Sequence, residues 1–195
     1  MTIDELKKYV SIKEIKGDCV RVKANESYML KLGDSYTEEL FCERSAIPNN
    51  LVVVPYSTYL IESNKEKYKG MTVEEAKEML IAEITDYDTS SSVNGFVLNG
   101  LLVWLDKATR VGLMNSTTIA KAAGQETTTL WLGGLKLVVD CDKAIQLLSA
   151  LEMYALECFN VTASHKAAVC KLKSIEEVEA YDFKTGYPKM LEMSV

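Results

Sequence analysis

The sequence predicts an α+β fold: a small β-rich N-terminal module, followed by a two-layer module of two β-hairpins (antiparallel sheet) packed on helices. The clearest observations are apolar runs on both sides of Asn99-Gly100 and of Gly133-Gly134. Asn-Gly adopts positive φ at both central positions of a tight turn, so it is a strong hairpin signal. A third observation is the alternation of apolar and polar residues near the N-terminus, which is typical of strands.

The N-terminal part of the chain is predicted to form short strands separated by turns. Apolar and polar residues alternate over Val20–Ala24 and Tyr28–Leu32, and Leu51–Val54 is a β-branched run. These residue types favour extended backbone. We expect Tyr56–Ile61 to resume the strand after Pro55.

A polar and charged stretch from Ser63 to Gly70 is the best candidate for a domain boundary. Linkers between domains are exposed and rich in polar residues. We therefore place a β-rich module at residues 1–66 and an α+β domain at residues 67–195.

Helices in the second domain are predicted from capping residues. Thr72 precedes a helix that ends near Tyr87, and Glu75, three residues later, completes a capping box. Asp106 is expected to cap a helix that Gly124 closes. The same hairpin–Asp–helix order then repeats, and either Asp140 or Asp142 is expected to cap the helix of this repeat.

The helix after Asp140 is the longest one predicted and reaches about Leu172. Its length of about 45 Å exceeds what four short strands can cover, yet its apolar stripe continues through Val169 and Leu172. The far end must be covered by the C-terminal segment Tyr187–Leu191, by the N-terminal module or by another subunit. We therefore expect a homo-oligomer, either a dimer or a trimer.

Composition narrows the classes of function. The chain has 195 residues, with 22 Lys and Arg against 28 Asp and Glu, for a net charge of −6. Proteins that bind nucleic acid usually carry a basic excess, so no such partner is expected. The single histidine, His165, cannot supply a multi-histidine metal site, and no cofactor motif is recognisable.

The expected location is the cytoplasm of a bacterial host. The N-terminus has no apolar segment of the signal-peptide type, and no apolar run is long enough to span a bilayer. The five cysteines are odd in number and have no Cys-x-x-Cys spacing, so reduced thiols are expected.

Cys158 and His165 are the nearest approach to a nucleophile–base pair. They lie seven residues apart on one helix. That is about 10.5 Å along the axis, whereas such a pair needs about 3 Å. Both lie on the apolar stripe, so we interpret them as structural. The alternative for His165 is a lone general base or a pH-sensing interface group.

Other motifs also favour structural roles. Asp140-Cys141-Asp142 has the residue types of a metal site, but a helix cap is the preferred interpretation. Glu152 and Glu157 do not share a helix face and are expected to be solvated. Trp104 and Trp131 can form an aromatic binding platform, although packing between sheet and helix is preferred.

No catalytic, cofactor-binding or metal-binding residue is therefore assigned. The residues assigned to an interface or to the core are Trp104, Trp131, His165, Val169 and Leu172.

Several short motifs in the second domain occur together in the order seen in a known family. They are Val93–Gly100, Trp104–Leu113, Thr129–Trp131, Leu148–Glu157 and Tyr181–Pro188. On these motifs the chain, from about residue 71 to residue 191, resembles the bacterial and phage family called domain of unknown function 4376. The resemblance implies a bacteriophage or prophage protein, often of a tail, tail fibre or fibre-assembly setting, and carries over no catalytic residue.

We therefore expect a phage structural or assembly protein, not an enzyme, that acts in the host cytoplasm or in the virion. Its partners would be copies of itself or tail components, without a membrane or a cofactor. The alternatives are an inhibitory binding protein, and a small enzyme or ligand-binding protein whose site is assembled from sequence-distant residues. A polar pocket favours the enzyme, and an exposed apolar patch favours the assembly protein.

Overall fold

The computed structural model describes residues 6–194, which form two compact units. The first contains the chain up to Val73 together with Lys173–Asp182. The second contains Glu74–Leu172 together with the chain from Phe183. The sequence places one boundary after residue 66, whereas the chain in the structure changes unit at three points, near residues 73, 172 and 182.

The first unit is rich in β-structure, as the alternating N-terminal pattern predicts. Within the described residues its strands are β1 (Val10–Lys16), β2 (Cys19–Ala24), β3 (Tyr28–Leu32), β4 (Ser35–Thr37), β5 (Glu39–Glu43) and β6 (Leu51–Pro55). They form two antiparallel sheets, ordered β1-β2-β5 and β4-β3-β6. Their shared core consists of Leu6, Val10, Val20, Val22, Leu30 and Leu51.

The prediction of a strand over Tyr56–Ile61 is wrong, because helix α1 occupies Tyr56–Lys67. The aromatic side chains that suggested a strand serve the helix instead. Tyr56 and Tyr59, three residues apart, lie on one side of α1 with ring centroids 5.5 Å apart, and the Tyr59 ring lies 4.9 Å from that of Tyr36. The polar stretch from Ser63 is therefore the last turn of a helix rather than a linker.

A C-terminal segment returns to the first unit, which the sequence did not predict. Short helix α6 (Ile175–Glu179) packs on α1, and the Asn64 side-chain amide donates a hydrogen bond of 2.8 Å to the backbone oxygen of Glu179. Ser174 caps this helix, since its hydroxyl accepts from the backbone N–H of Glu177 at 3.2 Å.

The second unit contains both predicted hairpins and the three predicted longer helices, so the α+β class is confirmed. Its elements are α2 (Val73–Asp88), α3 (Ser91–Asn94), β7 (Phe96–Leu98), β8 (Leu101–Val103), α4 (Lys107–Ala122), β9 (Thr127–Leu132), β10 (Leu135–Asp140), α5 (Cys141–Val169) and β11 (Leu191–Met193). The hairpins belong to separate sheets. Strand β11 pairs in parallel with β7, so the C-terminal segment packs back as predicted, and β9–β10 forms its own sheet.

The predicted hairpin turn and helix ends are present in the structure. Asn99 and Gly100 have φ of 50° and 81°, which is the conformation of the predicted hairpin turn. Asp106 caps α4 by accepting from the backbone N–H of Thr109 at 2.8 Å. Asp140 caps α5 by accepting from the two N–H groups that follow Cys141, and Gly124 closes α4 with a φ of 81°.

The core of the second unit lies between the inner faces of the hairpins and one stripe of α5. Its largest buried side chains include Phe96, Leu98, Leu130, Leu132, Leu148 and Leu151. Val169, at the far end of α5, is fully buried within the single chain, and Leu172 is half-buried. The end of the helix therefore gives no reason to invoke a second subunit, and the argument from its length to a homo-oligomer fails.

Replacing Gly100 by Val is expected to destabilise the protein. A Cβ at this position meets no atom within 4 Å, so the cost is backbone strain at a φ of 81°. We expect a loss of about 1–3 kcal/mol in the free energy of unfolding, measured by urea denaturation.

The matched control is Gly112→Ala, inside α4, where an added Cβ also meets no atom within 4 Å. Because its backbone is helical, this variant should gain about 0.5–1 kcal/mol. Equal stability of the two variants would contradict the turn geometry.

Candidate functional site

A groove of about 710 Å³ opens on the surface of the second unit. It lies between the end of α2, the connection from β8 to α4, and the middle of α5. We call this feature the groove and define it by its lining residues: Asp88, Thr89, Asn94, Trp104, Leu105, Asp106, Lys107, Arg110, Glu152, Ala155, Leu156 and Phe159.

The floor of the groove is an ion pair between a buried arginine and a partly exposed glutamate. The Arg110 Nε–H donates to the Glu152 carboxylate at 2.8 Å, and Nη1–H donates to the backbone oxygen of Leu105 at 2.8 Å. The Arg110 side chain is 9% exposed, while that of Glu152 is 35% exposed. The pair ties α4 to α5 and fixes the β8–α4 connection above them, so Glu152 is not the solvated side chain that the sequence suggested.

The sequence contains a signal for Arg110, which lies on the apolar stripe of α4. Arg110 and Thr117 are buried on α4, and Leu113 and Met114 between them pack against the core. These positions have the spacing of a single helical stripe. A charged residue on an apolar stripe indicates a buried ion pair, but its partner, Glu152, could only be found from the tertiary structure.

The walls of the groove are apolar and accessible. Trp104 is 41% exposed, Leu156 is 50% exposed and Phe159 is 59% exposed. Trp104 is therefore a surface residue, although packing between sheet and helix was the preferred prediction. Large exposed aromatic and aliphatic side chains around a concave surface are typical of binding sites.

Asp106 keeps a negative charge at the rim of the groove. The hydroxyl and the backbone N–H of Thr109 both donate to its carboxylate and lower its pKa. A lowered pKa means that the folded protein favours the ionised carboxylate. The contribution of this carboxylate to folding stability is fully present above the usual Asp pKa and is lost as the pH falls through the lowered pKa. At neutral pH the rim is charged.

A chain of hydrogen bonds runs behind the groove from Asp88. The Thr162 hydroxyl lies 2.6 Å from an Asp88 oxygen, to which it donates, and 3.0 Å from the Tyr187 hydroxyl. Burial raises the pKa of Tyr187 above its usual value. This chain holds α5 against the end of α2 and against the C-terminal segment.

Cys158 and His165 do not form a catalytic pair. The Cys158 thiol lies 3.3 Å from the backbone oxygen of Val93, to which Tyr154 also donates, and burial raises the pKa of Cys158, which keeps it a neutral thiol. His165 is half-buried, its Nε2 lies 2.9 Å from the Thr185 oxygen, and its ring lies beside that of Tyr187.

The remaining predicted residue, Trp131, is 58% exposed on the outer face of β9. The ammonium group of Lys136, its neighbour across the hairpin, lies 5.9 Å from the centroid of its ring. The structure does not bring Trp131 into the groove with Trp104. The two tryptophans therefore do not form one binding platform.

Among residues 6–194, no group of three His, Cys, Asp or Glu side chains is arranged to hold a metal ion. In the same range, no helix is both long enough and apolar enough to cross a bilayer.

A model of the family described as Domain of unknown function (DUF4376) matches residues 75–185, more than half of the chain. The chain belongs to this family. No curated protein and no solved structure matches it. The DUF4376 region begins just inside the second unit and includes every residue that lines the groove, whereas β11 follows its last residue.

Loss of the Arg110 side chain, which forms the floor of the groove with Glu152, should destabilise the DUF4376 region. Arg110→Ala leaves the Glu152 carboxylate and the Leu105 oxygen without their donor. We expect a loss on the order of 2 kcal/mol, below the ~3–5 kcal/mol typical of fully buried pairs, because Glu152 is partly exposed to water.

Urea denaturation measures the effect, and Arg44→Ala is the matched control. Arg44 pairs with Glu14 on the surface, where the two side chains are 52% and 68% exposed. This control should lose less than about 1 kcal/mol. A similar loss in the free energy of unfolding for both variants would show that the Arg110–Glu152 pair contributes no more to stability than a surface ion pair.

Proposed function

We propose that the protein is a bacteriophage or prophage structural or assembly protein that acts through protein–protein contacts at the groove. The observation that carries this proposal is the exposure of Trp104, Leu156 and Phe159 around one concave surface. Aromatic side chains in and around pockets supply most of the binding energy at protein interfaces. The groove fits an apolar side chain of a partner, with the charged rim fixing its orientation.

The state of the polar groups supports binding rather than catalysis. Arg110 and Glu152 are bonded to each other, Asp106 caps a helix, and Asp88 accepts from Thr162. Each of these groups has a structural partner that fixes its position. A fixed array of charges around an apolar wall is suited to recognition, in which orientation matters more than proton transfer.

The phage setting of the proposal comes from the resemblance of the chain to phage and prophage proteins. A tail or tail-fibre component, or a factor that assembles one, works through protein contacts and needs no catalytic centre. In this setting the protein would act in the host cytoplasm and could remain in the virion.

A second candidate is a protein that binds a small ligand. The volume of the groove, about 710 Å³, falls within the ~300–1,000 Å³ typical of small-molecule sites. Mixed charges beside apolar walls are also common in such sites. This candidate predicts that a low-molecular-weight compound raises the melting temperature of the wild type but not of Trp104→Ala.

The leading proposal is tested by complementation in a lysogen that carries the coding sequence. Deletion should yield particles with absent or defective tails or fibres, visible by electron microscopy and measured as lost infectivity. The wild-type chain supplied in trans should restore both, and Trp104→Ala should not, because it removes the exposed wall of the groove.

The matched control is Ile119→Ala, which removes an exposed apolar side chain of α4 that does not line the groove. It should complement as well as the wild type. Normal, infectious particles from the deletion strain would overturn the phage assignment. Full complementation by Trp104→Ala would overturn the role of the groove.

A further inference from the structure

Helix α5 carries a second stripe, on the side opposite the core. Ser149, Met153, Leu156, Asn160, Ala163 and Ala167 follow one another at alternating steps of four and three residues, which is the spacing of a coiled-coil seam. All six are exposed and none is charged. We call this set the outer seam.

The outer seam is unusual for a helix face in water. A surface helix normally presents charged and polar residues opposite its buried stripe. Here Met153 is 60% exposed and Leu156 is 50% exposed, and Phe159 beside them is 59% exposed. Their area is continuous with the groove, because Leu156 and Phe159 also line it.

We propose that the outer seam pairs with the outer seam of a second copy of the chain, with the two α5 helices antiparallel. The distribution of side-chain size supports this arrangement. The first half of the seam carries the large Met153 and Leu156, and the second half carries the small Ala163 and Ala167. Antiparallel pairing sets Met153 of one copy against Ala163 of the other and Leu156 against Asn160, so each large apolar residue meets a smaller one.

Charges beside the seam select the same orientation. In the antiparallel register, the two Phe159 side chains meet at the two-fold axis and Glu152 of each copy faces Lys166 of the other, so two contacts join opposite charges, while the two Glu157 side chains form one contact of like charge on the other flank. A parallel pair would instead set Glu152 of each copy against Glu157 of the other, which gives two contacts of like charge and none of opposite charge on α5. Only one Glu152 oxygen is bonded to Arg110, and no described residue forms an ion pair with the Lys166 side chain.

The chemistry of the face favours a second copy over a charged partner. The protein has a net charge of −6, so a basic partner would be expected to meet acidic residues at its contact surface. The seam presents none, and an uncharged surface does not repel a copy of equal charge. Its length of about 27 Å is short, so we expect a dimer with a dissociation constant on the order of 10 μM rather than nanomolar.

The experiment is sedimentation equilibrium of the full chain from low to high micromolar concentration. We expect a monomer–dimer equilibrium. Ala163→Glu should weaken it at least tenfold, because it places a carboxylate in the seam. Ile119→Glu, which adds the same charge at a 69% exposed position of α4, should leave it unchanged. Unchanged melting of Ala163→Glu shows that the variant is folded, and Met153→Glu provides an independent second variant.

Orientation is tested by charge reversal and by cross-linking. Lys166→Glu should weaken an antiparallel dimer, since the new carboxylate would face Glu152, and would not weaken a parallel one, in which it would face no charged residue of α5. Phe159→Cys should form a disulfide between copies on mild oxidation. The native Cys170, which is exposed just after the end of α5, should not form such a disulfide, because antiparallel pairing places the two Cys170 residues at opposite ends of the helix pair.

A monomer at every concentration, or a dimer that Ala163→Glu leaves intact, would overturn the proposal. A dimer that Lys166→Glu leaves unchanged or strengthens, or that Cys170 cross-links, would overturn the antiparallel arrangement. The inference does not rest on the proposed function. Leu156 and Phe159 contribute to both surfaces, but Ala163 does not line the groove and Trp104 lies outside the seam, so Ala163→Glu tests the dimer and Trp104→Ala tests partner binding.

Discussion

The burial of one stripe of α5 is the constraint on which the second unit depends. Each hairpin has short strands and cannot bury its apolar face alone. Helix α5, with 29 residues, is long enough to supply a surface for both hairpins. Full burial of a side chain such as Leu148 or Leu151 contributes about 1.5–3 kcal/mol to stability. Burial of the whole stripe therefore contributes more free energy than the conformational preferences of the residues in the short strands.

Polar contacts fix the rotation of α5 about its axis, and this rotation determines which of its side chains are exposed. Tyr154 and Cys158 both contact the Val93 oxygen, and Thr162 lies between Asp88 and Tyr187. With these atoms bonded inward, Leu156 and Phe159 must face outward. The groove and the outer seam therefore follow from the same packing that makes the core. A surface of this kind is suited to contacts with other proteins.

Local chemistry determined the turns, caps and helices, and these features were predictable from the sequence. Asn99-Gly100 forms a turn because its two residues tolerate positive φ, whatever surrounds them. Asp106 and Asp140 cap their helices through N–H groups two or three residues away. Each signal and its structural consequence lie within a few residues, so neither depends on the rest of the fold.

The tertiary structure decided everything that joins distant parts of the chain. Tyr56–Ile61 became helical although its β-branched and aromatic residues favoured a strand, since its tyrosines pack on each other and on Tyr36. Arg110 was visible as a charge on an apolar stripe, but Glu152, its partner, was not. The sequence by itself determined the two hairpins and the three longer helices of the second unit, but neither α3 nor β11. Which faces they bury, and hence which side chains remain exposed to bind, depends on long-range packing that no local pattern encodes.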